Sequence, residues 1–307
     1  MSSRDEMVDE VLLNLAGYLT DQELVGTLAS SIGPTNSSFV VNGSVFPDGV
    51  GFQPGMAELG NGELIYVGSV GSANSGSPGT FSSVVRGYRS SMANDWPAGT
   101  HVRANPRVPR SAVIRDMNHT LSLSYPDLVA YQSVEIETQL GVTWYDLPAE
   151  AQDVVRIDVH DPDQTTASKR SHYWSFETTG NPTATTGKGI QCRDFWHGSI
   201  LSVVYSTPAL PFNESLDVDP DFSATGLPDY CQEVVTAGAA YRAMSMLASG
   251  QAASRTAEGD LLGMQGGVQP KADKLAELFF TLYSQKRTEA RNRMRMDTNM
   301  GSVHYVG

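Results

Sequence analysis

The nearest approach to a reactive constellation in this chain is "DVHDPD", which gathers Asp158, His160, Asp161 and Asp163. Asp158 and His160 are two apart, so on a strand they share a face, where a carboxylate and an imidazole can move a proton or hold a metal. A calcium loop would add a ladder of Asp or Asn, a central Gly and a distal Glu, and these are missing. A strand ending in a proline turn is the plainer reading. In "NESLDVDPDF", Glu214, Asp217, Asp219 and Asp221 read as a solvated acidic loop. "TTGKG" around Lys188 imitates a phosphate loop, but Gly180 and Gly187 are seven apart and Gly189 follows the lysine, which fits a hairpin loop instead. Cys192 and His197 are five apart with no second ligand pair nearby. No Gly-x-Ser-x-Gly elbow occurs and the histidines are scattered. The expectation is a protein with no catalytic residue, no metal and no cofactor. A hydrolase built on Asp158 and His160 is the least favoured alternative.

The stretch from Gly60 to Arg110 also carries Arg, His, Asp and Trp among many glycines, the vocabulary of an active site, yet no catalytic motif forms in it. The clearest charge segregation lies near the end of the chain. Lys286, Arg287, Arg291, Arg293 and Arg295 stand against a single Glu289. Cations near a helix C-terminus suit the macrodipole, which accounts for one or two of them. The remainder points to docking on an acidic partner or nucleic acid. Arg287, Arg291 and Arg295 recur every four residues and form one helical face. Net charge is −13, so the surface as a whole repels phosphates and anionic membranes. No apolar run reaches the roughly 18 to 20 residues that span a bilayer, and the acidic start "MSSRDEMVDE" does not read as a secretory signal. Cys192 and Cys231 read as two free, buried thiols.

The elements that would position these residues are legible from periodicity. Two short N-terminal helices are expected over 1–32: one with Val8, Val11, Leu12, Leu15 and Leu19, and one capped by Asp21 with Leu24, Val25 and Leu28. A small β-barrel is expected over 33–107, with hairpins at Asn42-Gly43 and Asn61-Gly62 and a flexible loop from Ser69 to Gly79. A linking helix over 108–129 carries Val113, Ile114, Met117 and Leu121. A β-sandwich is expected over 130–212, with Val155, Ile157 and Val159 alternating against Arg156, Asp158 and His160. C-terminal helices and a tail fill 213–307. The first carries the small stripe Ala237, Ala240, Tyr241, Met244 and Leu247 and ends at Gly250. The last starts after Pro270 and buries Leu275, Leu278, Phe279, Leu282 and Tyr283. The fold class is therefore α+β: a helical frame with an inserted barrel and an inserted sandwich.

Within the barrel segment, Glu63–Val67 ("ELIYV"), Val85–Gly87 ("VRG") and Gly99–Val102 ("GTHV") resemble a recurring β module of tailed-phage virion proteins. Joined to the helical frame, the chain resembles the head-to-tail connector (neck) adaptors of long-tailed phages. The resemblance implies a structural ring of about twelve copies that bridges the portal to the stopper or tail. Its C-terminal segment, with Lys286, Arg287, Arg291, Arg293 and Arg295, would dock on the portal. DNA would pass through the lumen without sequence-specific binding, no membrane would be involved, and the place of action would be the virion neck after synthesis in the host cytoplasm. The second β module exceeds the compact adaptor pattern. The alternative reading is another virion part: a tail terminator, baseplate or receptor-contacting β protein.

Overall fold

A computed structural model describes residues 2–16, 25–43, 51–71, 78–160, 169–170, 174–178, 185–192, 198–212, 219–262 and 271–300. The fold is α+β. It divides into two compact units: Met1–Thr120 with Phe212–Phe222 and Gln232–Lys286, and Leu121–Pro211 with Ser223–Cys231 and Arg287–Gly307.

The first unit opens with α1 (Arg4–Ala16), which buries Met7, Val8, Val11 and Leu15 and leaves Leu13 in solvent. Six strands follow: β1 (Val25–Leu28), β2 (Phe39–Asn42), β3 (Gly55–Leu59), β4 (Glu63–Val70), β5 (Gly79–Val85) and β6 (His101–Ala104). They form a closed antiparallel barrel in the order β1-β2-β5-β4-β3-β6, so no strand is left with an open edge. Leu28, Val41, Leu59, Ile65, Val67, Phe81 and Val102 fill its interior. The second N-terminal helix expected from Leu24, Val25 and Leu28 is not formed; Val25–Leu28 is strand β1, paired with β2 and β6. Spacing alone fits either element there, and the pairing on both sides decides it. Leu19, Asp21 and Leu24 lie outside the described residues. The Asn61-Gly62 hairpin is present and joins β3 to β4, with Leu59 opposite Glu63. After Asn42-Gly43 the chain leaves the described residues, and β2 pairs instead with β1 and β5. Most of the expected loop after Ser69 also lies outside them.

Helix α2 (Arg110–Ser124) begins on the Pro109 carbonyl, which accepts the Ala112 and Val113 amides, and it buries Val113, Ile114, Met117 and Leu121 as expected. Helix α3 (Gln232–Leu262) packs on α1 and buries Val234, Val235, Ala239, Ala240, Ala243 and Met244. It runs through Gly250, where the sequence predicted a stop. The alanines around Gly250 outweigh one glycine, whose cost is about 1 kcal/mol. Helix α4 (Lys271–Met300) starts where Pro270 predicts. Its buried residues are Phe279, Ala290 and Met294, whereas Leu278 and Leu282 are exposed, against expectation. Each of those leucines precedes a residue of the packed row Phe279–Tyr283, and one residue turns a helix by about 100°.

The second unit holds β7 (Ala130–Glu137), β8 (Trp144–Asp146), β9 (Asp153–His160), β10 (Lys169–Arg170), β11 (Trp174–Glu177), β12 (Gly189–Cys192) and β13 (Ile200–Thr207). They make a four-stranded sheet, β10-β9-β13-β7, and a three-stranded sheet, β11-β12-β8. Tyr145, Ile190 and Cys192 from the smaller sheet share one core with Val154, Ile157, Leu201, Val203 and Tyr205 from the larger. The alternation expected along β9 fails at Val155. The register with β13 shifts between Val204 and Tyr205, so Val154 turns inward with Ile157 while Val155 faces out. Among the described residues no helix is long and apolar enough to cross a membrane.

Candidate functional site

The active-site vocabulary between Gly60 and Arg110 resolves into a buried polar knot. Glu63 begins β4 and is fully buried. Its carboxylate accepts hydrogen bonds from Arg86 Nε at 2.6 Å and Nη2 at 2.8 Å, from Trp96 Nε1 at 2.5 Å, and from the Gly87 and Asn94 amides at 3.2 Å each. Arg86, just past β5, also donates to the Gly33 carbonyl at 2.5 Å and the Asn94 carbonyl at 2.6 Å. A buried charge is tolerated when it is paired and its lone pairs are filled, and both conditions hold here. The knot fastens the segment from Gly87 to Trp96 onto the barrel wall. Gly60 completes it: its φ is +53°, and a Cβ there would overlap the Trp96 ring.

A second buried carboxylate sits across the same hairpin. Glu58 of β3 accepts Arg103 Nη1 at 3.1 Å and the Arg110 amide at 2.7 Å, which caps the start of α2. The hairpin tip is tied to α1 by Asn61 Nδ2 donating to Asp5 Oδ2 at 2.7 Å, and Arg110 pairs with Asp9. Burial pushes the Asp5 carboxyl above its ordinary range, against the pull of Arg4. Burial likewise raises Asp116, against its bond to Arg242, and raises Glu10, with the Glu233 charge adding to the effect.

Several of the other sequence candidates that lie among the described residues are also engaged. Asp158 pairs with Arg156 at 2.8 Å, His160 is exposed, and Asp161 and Asp163 lie outside the described residues. Lys188 donates to the Ala149 and Ala151 carbonyls at 2.7 and 2.6 Å, so its ammonium braces a loop. Asp219 accepts the Asp5 amide at 2.9 Å, and the Asp221 backbone forms an isolated β-bridge with Ser3, while Glu214 and Asp217 are outside the described residues. Asp146 accepts Thr185 N and Trp144 Nε1, bonds that hold its carboxyl below the ordinary range. Cys192 and Cys231 are free and buried, and burial pushes both thiols up to about 12, so neither supplies a thiolate near neutrality. His197 lies outside the described residues. Among the described residues, no three His, Cys, Asp or Glu side chains are grouped to hold a metal.

The C-terminal basic run is partly engaged within the chain. Lys286 pairs with Glu233 at 2.7 Å. Arg287 reaches Asp127 at 2.9 Å and the Leu123 carbonyl at 3.3 Å, and Arg291 reaches the same Asp127 at 3.7 Å. The two arginines therefore share a face, as their spacing implies. Arg293 is exposed with its guanidinium 5.9 Å from the Tyr230 ring centre, and Arg295 is exposed. Sequence reasoning missed Asp127 because it lies 160 and more residues from its partners. It also missed that Trp96 joins Glu63 and Arg86.

The chain matches no protein-family model, and no curated protein matches it in sequence.

Proposed function

We propose that this chain is a structural virion protein of a tailed phage, an adaptor whose ring bridges the portal to the stopper or tail at the head-to-tail interface. The observation that carries this reading is the Glu63–Arg86–Trp96 knot. The three segments that resemble the virion β module fall on the start of β4, the end of β5 and the turn into β6, and Glu63 and Arg86 from two of them pair in the knot. A polar set consumed in this way is architecture, which suits a protein that works by shape. In this reading the two sheets of the second unit form a β-sandwich, and the terminal helices form the frame that carries both β modules. The chain's charge of −13 keeps DNA from adhering to a lumen through which it must slide.

Portal docking falls to the C-terminal basic run of Lys286, Arg287, Arg291, Arg293 and Arg295, with Arg293 and Arg295 as its leading contacts because both are exposed. Each exposed ion pair is worth only about 0.2 to 1 kcal/mol. Repeated around a ring of about twelve copies, such pairs add up, since each later contact is effectively intramolecular. The test is co-sedimentation with the portal protein of the same phage. Wild-type protein is expected to pellet with portal, and Arg293→Glu with Arg295→Glu to stay folded and remain in the supernatant. Wild-type protein that never pellets with portal at any salt concentration would sink the reading.

A further inference from the structure

The turn between α2 and β7 meets one face of α4. Arg287 Nη2 lies 2.9 Å from Asp127 Oδ2, and Arg291 Nη1 lies 3.7 Å from Asp127 Oδ1. Further along α4, Met294 Sδ accepts the Val129 amide at 3.4 Å. Positions 287, 291 and 294 are four and three apart, so they share that face. The turn is itself anchored, because the Leu128 amide donates to the Ser124 carbonyl at 2.9 Å. Two guanidiniums therefore share one carboxylate, and the sharing is incomplete. Arg287 makes a short contact and also donates to the Leu123 carbonyl at 3.3 Å, whereas Arg291 stands beyond hydrogen-bond length. The Nε atoms of both arginines are shielded from solvent and have no hydrogen-bond partner. Shielded donors left unpaired are costly, so the cluster has unused capacity for an acceptor. It is also within reach: the side chains of Arg287, Arg291 and Asp127 are 30%, 36% and 31% exposed.

We propose that Arg287 and Arg291 form a carboxylate-binding site that Asp127 occupies in the free chain, and that an acidic side chain of a partner protein displaces Asp127 and takes its place. The class of ligand is read from the group already bound: Asp127 is a carboxylate, and it meets two guanidiniums whose planar forks match carboxylate oxygens. Two cations facing one anion leave a local excess of positive charge, which draws a further acid to the cluster. Asp127 is then a brake within the chain. It keeps the pair of arginines from adhering to stray acids, and an exposed ion pair of this kind weakens a competing ligand by about two- to six-fold. The proposal deepens the docking reading above and rests on it only for the portal as the source of the acid.

The experiment uses the full chain, with poly-L-glutamate as the probe and affinities measured by calorimetry at low salt. Asp127→Asn removes the internal charge and keeps the side chain's shape. It is expected to bind the polymer about two- to six-fold more tightly than wild type. The gain should vanish when Arg287→Gln and Arg291→Gln are added. Glu277→Gln removes the same charge from an exposed position elsewhere on α4 and should give no such gain. In wild-type protein the Arg287 and Arg291 Nε–H signals in NMR spectra should shift on titration with the polymer, a readout that holds even if Asp127→Asn fails to fold. A gain no larger than that of Glu277→Gln, a gain that survives loss of both arginines, or unmoved Nε–H signals would overturn the proposal. So would Asp127→Asn protein that gains on duplex DNA but not on polyglutamate. A gain on the polymer, beside proteins that never join portal, would leave the site standing and remove the phage reading. Wild-type protein that joins portal while Asp127→Asn gains nothing would do the reverse.

Discussion

Glu63 accepts five hydrogen bonds without contact with solvent, so its removal should be far more costly than loss of a surface charge. Glu63→Ala leaves the Arg86 guanidinium buried and unpaired, and we expect a loss of about 3 to 5 kcal/mol in urea unfolding. Glu63→Leu combined with Arg86→Met removes both charges but strands Trp96 Nε1, the Gly87 and Asn94 amides and the Gly33 and Asn94 carbonyls, so it should recover only part of that loss. A Glu63→Ala protein within about 1 kcal/mol of wild type would show that the knot holds little. The sequence shows Glu63 and Arg86 as parts of a motif. It does not show the carboxylate's environment, because Arg86 and Trp96 lie 23 and 33 residues away and only barrel closure brings them together. At Asp158 and His160 the sequence presents a pair, whereas the structure presents a strand-face ion pair of Asp158 with Arg156, a reading that spacing alone leaves open.

Among the elements, α3 depends on one position. A Cβ at Gly238 would overlap the Thr120 methyl of α2 and come within 3.1 Å of the Tyr283 ring of α4. On an exposed helix Gly→Ala gains about 1 kcal/mol from propensity. Here overpacking opposes it at about 1 to 3 kcal/mol, so Gly238→Ala should lower stability, and it should cost less on a Thr120→Ser background that lacks the methyl. Equal costs on both backgrounds, measured by denaturant unfolding, would contradict this packing. The helices α1, α2 and α4 were legible because their apolar residues recur at helical spacing, and prolines mark the starts of α2 and α4. β1, the inward turn of Val154 and the exposure of Leu278 and Leu282 were not. Each is settled by a neighbour distant in sequence: the pairing of β2 and β6, the bulge against β13, and the packed row of α4.

At the scale of the whole molecule, an excess of negative charge and three carboxyls raised by burial act in the same direction. Asp5, Glu10 and Asp116 hold protons more tightly when folded than at their ordinary values of 3.8, 4.5 and 3.8. Between each ordinary value and the raised one, the folded state binds more protons than the unfolded, so stability falls as pH rises through that window. Asp146 is lowered and acts oppositely: its contribution is present above 3.8 and is lost as pH falls below it. The melting temperature should therefore be higher just above the ordinary carboxylate range than at neutrality, and Asp116→Asn should flatten the descent. A melting temperature that climbs steadily to neutrality would contradict this. Electron microscopy of the purified protein mixed with the portal protein of the proposed phage tests the proposed assembly most directly. We expect a ring of about twelve copies coaxial with the portal, each contributing a barrel and a helical frame. Portal particles with no added ring, beside free protein that stays monomeric or closes as a dimer, would contradict it.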